Sequence, residues 1–221
     1  MKHGLIFDLD GTLVDSLAGI AGSLNRALAA AGLPIHPLPA VRGFIGNGAR
    51  VLIQRAVPAG ATESLLDTME QAFKSDYDLT WPTGTFAYEG MVDLLEALQA
   101  RGHPLAVLSN KPHSFTTAMV AQIFPSIHFA VVLGQRGGVP HKPDPTGALE
   151  ISSTLGLSPQ NCTIIGDSTM DIETAHNAGM KCIAVTWGFH DRERLRAAGA
   201  DQLVNEPGDL LQDYETHSET Q

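Results

Sequence analysis

The chain has 221 residues, enough for one large domain or one domain carrying a smaller inserted one, and enough to bury a core without disulfides or a structural metal. Hydrophobic residues make up 43% and charged residues 17%, a globular balance that excludes a disordered chain. Lys and Arg number 14 against 24 Asp and Glu, a formal net charge of −10 with no concentrated basic stripe, which argues against nucleic-acid binding. A small anionic substrate stays open, because it senses its local site and a bound metal inverts the field there.

Residues 5–7 read as a buried strand ending in acidic residues at Asp8 and Asp10, followed by a loop at 11–13. From about Asp15 to Tyr77 the pattern is helical. Leu17, Ile20, Ala21, Leu24 and Leu28 recur at three- and four-residue steps, with Asp15 or Ser16 as the N-cap and Gly32 before Pro34 as the stop. Residues 43–48 form a loop between shorter helices, Leu65, Leu66, Met69 and Phe73 mark a third helical stripe, and no strand is predicted in this stretch. Beyond about Thr80 the character changes. A helix from Met91 to Gly102 precedes a strand at 105–108 that ends at Ser109-Asn110. A helix at 114–124, a strand at 129–133 and a helix at 145–155 with proline first come next. A strand at 163–165 ends at Gly166-Asp167, and a helix at 172–178 stops at Gly179. A strand at 183–186, a helix around Leu195 and an edge strand at Leu203-Val204 complete the pattern. Strands alternating with helices mean a parallel sheet covered on both faces. The expected fold is α/β: a Rossmann-like doubly wound parallel sheet core from residues 1–14 and 81–214, an all-α cap domain at 15–80 inserted after the first strand, and a polar tail at 215–221.

Apolar runs such as 131–133 and 182–185 fall far below the ~20 residues a membrane span needs. Asp8 and Asp10 interrupt the apolar start, where a signal peptide needs ~7–15 apolar residues. Cys162 and Cys182 lack metal-ligand spacing and are assigned to core packing, with a cytoplasmic location as the simplest reading. The histidines show no zinc-type spacing; His113 and His141 fall near the motifs below, and Trp187 and Phe189 are read as a core pair, with a wall of the pocket as the alternative. No long apolar stripe is left without a partner, so a monomer or homodimer is expected.

The chemistry-bearing residues fall at strand ends, where open α/β sheets bind ligands. Asp8 and Asp10 follow the first strand, Ser109 and Asn110 another, and Asp167 a third. Asp8, Asp10 and Asp167 offer hard oxygen ligands suited to Mg²⁺. A carboxylate so placed can attack a phosphate and form an aspartyl-phosphate, while a second carboxyl protonates the leaving oxygen and later takes a proton from water. Ser109 can hydrogen-bond a phosphoryl oxygen, and Lys142 can set its ammonium on the same group. Each part alone is an ordinary turn or cap; their joint occurrence in this order carries the reading.

Phe7-Asp8-Leu9-Asp10-Gly11-Thr12-Leu13-Val14-Asp15-Ser16, Ser109-Asn110-Lys111-Pro112, Lys142-Pro143-Asp144-Pro145 and Gly166-Asp167-Ser168-Thr169-Met170-Asp171 resemble the four motifs of the haloacid dehalogenase superfamily. The resemblance covers nearly the whole chain. It implies that Asp8 is the nucleophile and Asp10 the general acid/base. It implies that Ser109, Asn110 and Lys142 bind the phosphoryl group, and that Asp8, the backbone carbonyl of Asp10, and Asp167 hold Mg²⁺ with Asp171 orienting the metal shell. The helical insertion is similar to the cap of the phosphoglycolate phosphatase-like branch, and the segment Gly43-Phe44-Ile45-Gly46-Asn47-Gly48-Ala49-Arg50 to its cap loop. That assigns substrate specificity to Gly46 and Asn47, with Arg42 or Arg50 pairing a substrate carboxylate.

Asp10 separates this chain from the dehalogenases of the family, which lack that aspartate and protonate no leaving alkoxide. Phosphonate-cleaving relatives use a cap lysine as a Schiff base. The only lysine between Asp15 and Thr80 is Lys74, on a predicted helix and not in the loop nearest the site. The expected function is Mg²⁺-dependent hydrolysis of a small phosphorylated metabolite, first 2-phosphoglycolate. N-acetylmuramate 6-phosphate, another sugar phosphate or pyrophosphate are the alternative substrates, and a sugar-phosphate mutase the alternative reaction. A receiver-type signalling module is disfavoured by the inserted helices, and a non-catalytic binding protein by the intact set Asp8, Asp10, Ser109, Lys142 and Asp167.

Overall fold

Leu5, Ile6 and Phe7 are completely buried, and the molecule is built outward from them. The computed structural model describes residues 2–214, so the predicted tail at 215–221 lies outside it. In chain order the elements are β1 (Gly4–Phe7), β2 (Val14–Asp15), α1 (Leu17–Ala30), α2 (Leu38–Arg42), α3 (Gly48–Ala56), α4 (Glu63–Gly84), β3 (Phe86–Ala87), α5 (Met91–Ala100), β4 (Leu105–Pro112), α6 (His113–Ile123), β5 (Phe129–Gln135), α7 (Thr146–Thr154), β6 (Cys162–Gly166), α8 (Thr169–Ala178), β7 (Lys181–Val185), α9 (Arg192–Ala197), β8 (Gln202–Val204) and α10 (Asp209–Asp213).

Six strands form one parallel sheet in the order β5-β4-β1-β6-β7-β8. β1 lies between β4 and β6, with Phe7 opposite Val107 on one side and Ile165 on the other. Its residues are apolar without alternation because both faces are covered. Leu5, Phe7, Leu105, Val107 and Ile165 point to one face and join one core cluster. Ile6, Ala106, Ile164 and Cys182 alternate with them and fill a second cluster on the other face. Cys162 and Cys182 are free and buried in that second cluster. The strand order reverses at β1, so the crevice at the carboxyl ends of β4, β1 and β6 is where such a sheet takes a ligand.

The first core cluster continues into the helices α1–α4, through Ile20, Leu24, Met69, Phe73 and Trp81. These helices form the all-α cap. β2 pairs antiparallel with β3, so the chain leaves the sheet region and returns to it at one place. Sequence periodicity missed this ribbon, predicting no strand between Asp15 and Tyr77 and none at 86–87, because two-residue strands carry no period. α4 also runs past the predicted stripe to Gly84, with Pro82 in its last turn, where the ring removes the N–H that would otherwise bond Asp78 C=O.

α1 and α4 cross at two glycines. A Cβ on Gly84 would stand 2.7 Å from the Cα of Gly19, and one on Gly19 would stand 2.8 Å from the Gly84 carbonyl oxygen. Gly84→Ala is therefore expected to destabilise the protein by about 1–3 kcal/mol through overpacking, although alanine favours helix, and to lower Tm by several degrees. An unchanged melting curve would show that the two helices have slack to separate.

Candidate active site

Leu9 is fully buried, and its neighbours Asp8 and Asp10 come up on the opposite side into the crevice. The turn that follows is closed by Leu13 N–H donating to Leu9 C=O and Gly11 N–H to Val14 C=O. Asp8 is anchored at the end of β1, its N–H donating to Ile165 C=O at 2.9 Å. β4 carries Ser109, Asn110 and Lys111, all buried. The loop after β5 delivers Lys142, β6 ends at Asp167, and Asp171 stands in the first turn of α8.

One carboxylate oxygen from each of Asp8, Asp167 and Asp171 lies within 4.8 Å of the others. Lys142 Nζ bridges two of these acids, 3.0 Å from Asp8 Oδ1 and 2.6 Å from Asp171 Oδ1, and donates its third bond to Leu108 C=O at 3.1 Å. Asp171 Oδ2 accepts from Ser168 N–H and Oγ–H, which fixes its orientation. Asp167 is held by Phe189 N–H at 2.7 Å and Thr12 Oγ at 3.2 Å. A Cβ on Gly188 would collide with the Asp167 side chain and with Gly11 C=O, so only glycine lets the loop after β7 approach the carboxylate.

Four acids, Asp8, Asp10, Asp167 and Asp171, share two buried lysines, Lys111 and Lys142. No ion pair reaches Asp167 among the described residues. Burial pushes the Asp8 carboxyl up to about 7, Lys142 opposing and Asp171 and Asp10 adding to the rise. Burial likewise pushes Asp167 well above the carboxylate range, with the charges of Asp8 and Asp171 adding to it. Burial disfavours the charge on Lys142, but Asp171 and Asp8 more than reverse this and raise its pKa. A cluster of hard oxygens with excess negative charge fits a divalent cation.

Asp10 stands apart from this cluster. Both of its carboxylate oxygens accept from Lys111 Nζ at 3.0 Å, and Lys111 also donates to Tyr77 Oη of α4 at 3.0 Å. Burial works against the Lys111 charge, but Asp10 and Tyr77 overcome it, and its pKa is raised. Sequence reasoning gave Lys111 no role, because it ended the strand at Asn110 and left Lys111 in a loop; β4 in fact continues to Pro112. The Tyr77 hydroxyl had no sequence signal, since its partner is distant in the chain.

Above the carboxylates is a cavity of ≈ 80 Å³. Its floor includes Asp8, Asp10, Ser109, Lys111 and Asp167, and its cap-side wall includes Ile20, Ile45, Ala49, Leu52 and Phe73. Gly46 lines it. Asn47, Arg42 and Arg50 do not. Asn47 Oδ1 accepts from Arg55, and its amide faces Met170 sulfur. Arg42 donates to the carbonyls of Phe189 and Gly188, tying the cap to the loop that holds Asp167. Arg50 pairs with Glu63, Asp67 and Glu70 inside the cap, so its charge is satisfied away from the cavity. The Asn110 amide donates to Gly46 C=O and Lys142 C=O and accepts from Lys142 N–H, which makes it a brace between cap loop and core. Lys74, set aside in the sequence as remote, lines the cavity and pairs with Glu70 at 2.5 Å.

His113 and His141 do not line the cavity, whereas His190 does. Trp187 donates from Nε1 to Thr12 C=O and packs edge-on to Tyr88, and Phe189 lines the cavity, so the expected Trp187–Phe189 core pair does not form. His190 Nδ1 accepts from Thr169 N–H. Burial lowers its pKa to about 4, Arg194 and Arg42 assisting against Asp171 and Asp191. Between pH 6.5 and about 4 the unfolded chain takes a proton that the folded one refuses, so stability falls as pH drops through this window. His190→Asn should flatten that part of the Tm–pH curve. A constant difference between wild type and variant from pH 7.5 to 4.5 would remove this contribution.

A doubly wound sheet with a carboxylate cluster at its switch point and a helical cap above it defines a hydrolase class. A family model for haloacid dehalogenase-like hydrolases matches residues 5–185. The chain belongs to the haloacid dehalogenase-like hydrolase family. It is similar to curated phosphoglycolate phosphatases: that of Escherichia coli K12 is 33% identical, the match covering 95% of this chain and 91% of that one. The enzyme of that name from Pseudomonas putida KT2440 is 31% identical over 94% and 78%. Among solved structures, a predicted phosphoglycolate phosphatase from Haemophilus somnus superposes with a TM-score of 0.91 at 31% identity, covering 97% and 98% of the two chains. A haloacid dehalogenase-like hydrolase from Streptococcus pneumoniae gives 0.87 at 26% identity over 97% and 99%. Among the described residues no helix is long and apolar enough to cross a membrane.

Proposed function

We propose that this phosphatase hydrolyses a small phosphomonoester, 2-phosphoglycolate, through an aspartyl-phosphate on Asp8. The observation that carries the reading is the position of Asp8. It sits in a buried carboxylate cluster on the cavity floor, its Oδ1 occupied by Leu9 N–H and Lys142, while no hydrogen bond among the described residues reaches its Oδ2. That oxygen is available to attack phosphorus.

Asp8, Asp167 and the backbone carbonyl of Asp10 would hold Mg²⁺, with Asp171 supporting them. Bound there, Mg²⁺ neutralises the carboxylates and offsets the charge of the phosphoryl oxygens. The chain's own groups do the rest. Ser109, on the cavity floor, can donate to a phosphoryl oxygen, and Lys142 keeps positive charge beside the Asp8 carboxylate. The bond from Asp8 to phosphorus forms as the ester bond breaks, and Asp10 protonates the departing alkoxide. Water then attacks phosphorus and loses its proton to Asp10, and the bond to Asp8 breaks, releasing phosphate. The cap excludes bulk water over the site and opens to release product.

The curated relatives named phosphoglycolate phosphatase support the choice of substrate.

The test is kcat/KM with Mg²⁺ over 2-phosphoglycolate, N-acetylmuramate 6-phosphate, glucose 1-phosphate, pyrophosphate and an aryl phosphate. A preference for 2-phosphoglycolate of two orders of magnitude, about 3 kcal/mol of differential transition-state binding, is expected. A flat panel would overturn the substrate but keep the chemistry. Turnover that persists undiminished in chelator would overturn the metal.

A further inference from the structure

Lys111 is the one buried cation in the site that does not touch the Asp8 cluster. Its ammonium lies 3.0 Å from both oxygens of Asp10 and 3.0 Å from Tyr77 Oη, and sits 4.6 Å from the centre of the Tyr77 ring. Its ammonium is therefore shared between core and cap, straddling both oxygens of the core acid and donating to the cap hydroxyl. Tyr77 is itself clamped, stacked on Phe73 of the same helix and edge-on to Phe115 of the core. Lys111 belongs to the central strand region through β4, and Tyr77 to the long cap helix α4.

We infer that Lys111 is a positioning residue for Asp10, holding the carboxyl in register for proton transfer and linking that register, through Tyr77, to the placement of the cap. The inference rests on the proposed roles of Asp8 and Asp10. A carboxyl on a flexible side chain can face the leaving oxygen, the attacking water or solvent. An ammonium 3.0 Å from both of its oxygens, and itself bonded to a cap hydroxyl, selects one direction. The same bond makes the direction depend on the cap being in place, so proton transfer is best aligned when the cavity is covered.

The consequence is a defect that depends on the leaving group. An alkoxide needs a proton as it departs; 4-nitrophenolate does not. With 4-nitrophenyl phosphate, Asp8 can still attack phosphorus and expel nitrophenolate unprotonated. The next step, attack by water on the aspartyl-phosphate with its proton passing to Asp10, remains dependent on Asp10.

Lys111→Met is expected to lower kcat on 2-phosphoglycolate by about 10²-fold or more. With 4-nitrophenyl phosphate, rapid mixing should show one equivalent of nitrophenolate released per site, then a slow steady state as phosphoenzyme accumulates. Tyr77→Phe, which keeps the ring and loses the hydroxyl, should show the same pattern with a smaller loss, and remains informative where Lys111→Met fails to fold. Asp10→Ala is the control and should also give the burst. If it does not, Asp10 is not the acid/base, and the underlying reading falls together with this one. If Asp10→Ala bursts but Lys111→Met and Tyr77→Phe slow the first nitrophenolate turnover as much as they slow the alkyl ester, Lys111 serves phosphoryl binding or only latches the cap, and the inference is overturned. Wild-type kinetics in Lys111→Met would overturn it as well.

Discussion

Asp8→Asn is expected to lower kcat by at least about 10⁴-fold and to leave the melting temperature at or above that of the wild type. On the proposed mechanism the carboxamide has the shape of the carboxylate but no nucleophilic oxygen of comparable strength. The fold has little reason to suffer. Lys142 keeps two of its three contacts, Asp171 Oδ1 and Leu108 C=O. The substitution also removes one negative charge from a buried group of three acids whose mutual repulsion and burial push Asp8 and Asp167 up. Steady-state kinetics with thermal melting in the absence of Mg²⁺ checks both halves. Residual turnover within tenfold of wild type would move the nucleophile elsewhere. A large loss of Tm would show that the charge of Asp8 is needed to hold Lys142.

Lys142→Met should damage activity and stability together. The Lys142 side chain is 5% exposed and Asp171 is fully buried, so removing the ammonium strands a carboxylate that water cannot reach. Breaking a buried pair in this way costs about 3–5 kcal/mol, read as a lower denaturation midpoint. Turnover should fall by about 10²–10³-fold, as it does when a preorganised charge beside a reacting group is lost. The double variant Lys142→Met, Asp171→Asn separates the two effects. Neutralising the stranded acid should return part of the stability and none of the activity. If the double variant is no more stable than the single one, the cost lies in packing around the lysine stem and not in the unpaired charge.

The two variants differ because their positions in one network differ. Asp8 is one of several acids competing for a cation, so its loss relieves crowding. Lys142 is the cation they compete for, so its loss exposes the crowding in full. The same arithmetic shows why the site suits a divalent metal, since Asp167 has no ionic partner among the described residues and lies beside two other acids.

Much of this was legible in the chain. The strand that ends at Asp8 and the strands that end near Ser109 and at Asp167 are short apolar runs closed by polar residues, and a run of that kind must be buried on both faces. Once several such strands alternate with helices, a parallel sheet follows, and the polar residues at their ends meet in one crevice. The α1 stripe from Leu17 to Leu28 was readable for a similar reason, because helical period is a local property. The joint set of acids, hydroxyl and lysine pointed to one crevice, and the structure brings Asp8, Asp167 and Lys142 together there.

The tertiary structure alone decided how the charges were shared out. Local pattern shows that Arg42, Arg50, Lys74, Lys111 and Lys142 are cations but not which acid each will meet. Arg50 meets Glu63, Asp67 and Glu70 within the cap; Arg42 meets the Gly188 and Phe189 carbonyls; Lys111 meets Asp10 from 101 residues away in the chain. Equally local evidence could not see that the Asn110 amide would be consumed by Gly46 and Lys142, or that β2 and β3 would pair across the whole cap. The physical reason is common to all of these. Backbone period and apolar burial are set within a few residues, so the sequence determines them directly. A long charged side chain reaches whatever the packed chain brings within about 3 Å, and that depends on crossings such as Gly19 against Gly84 that no local pattern encodes.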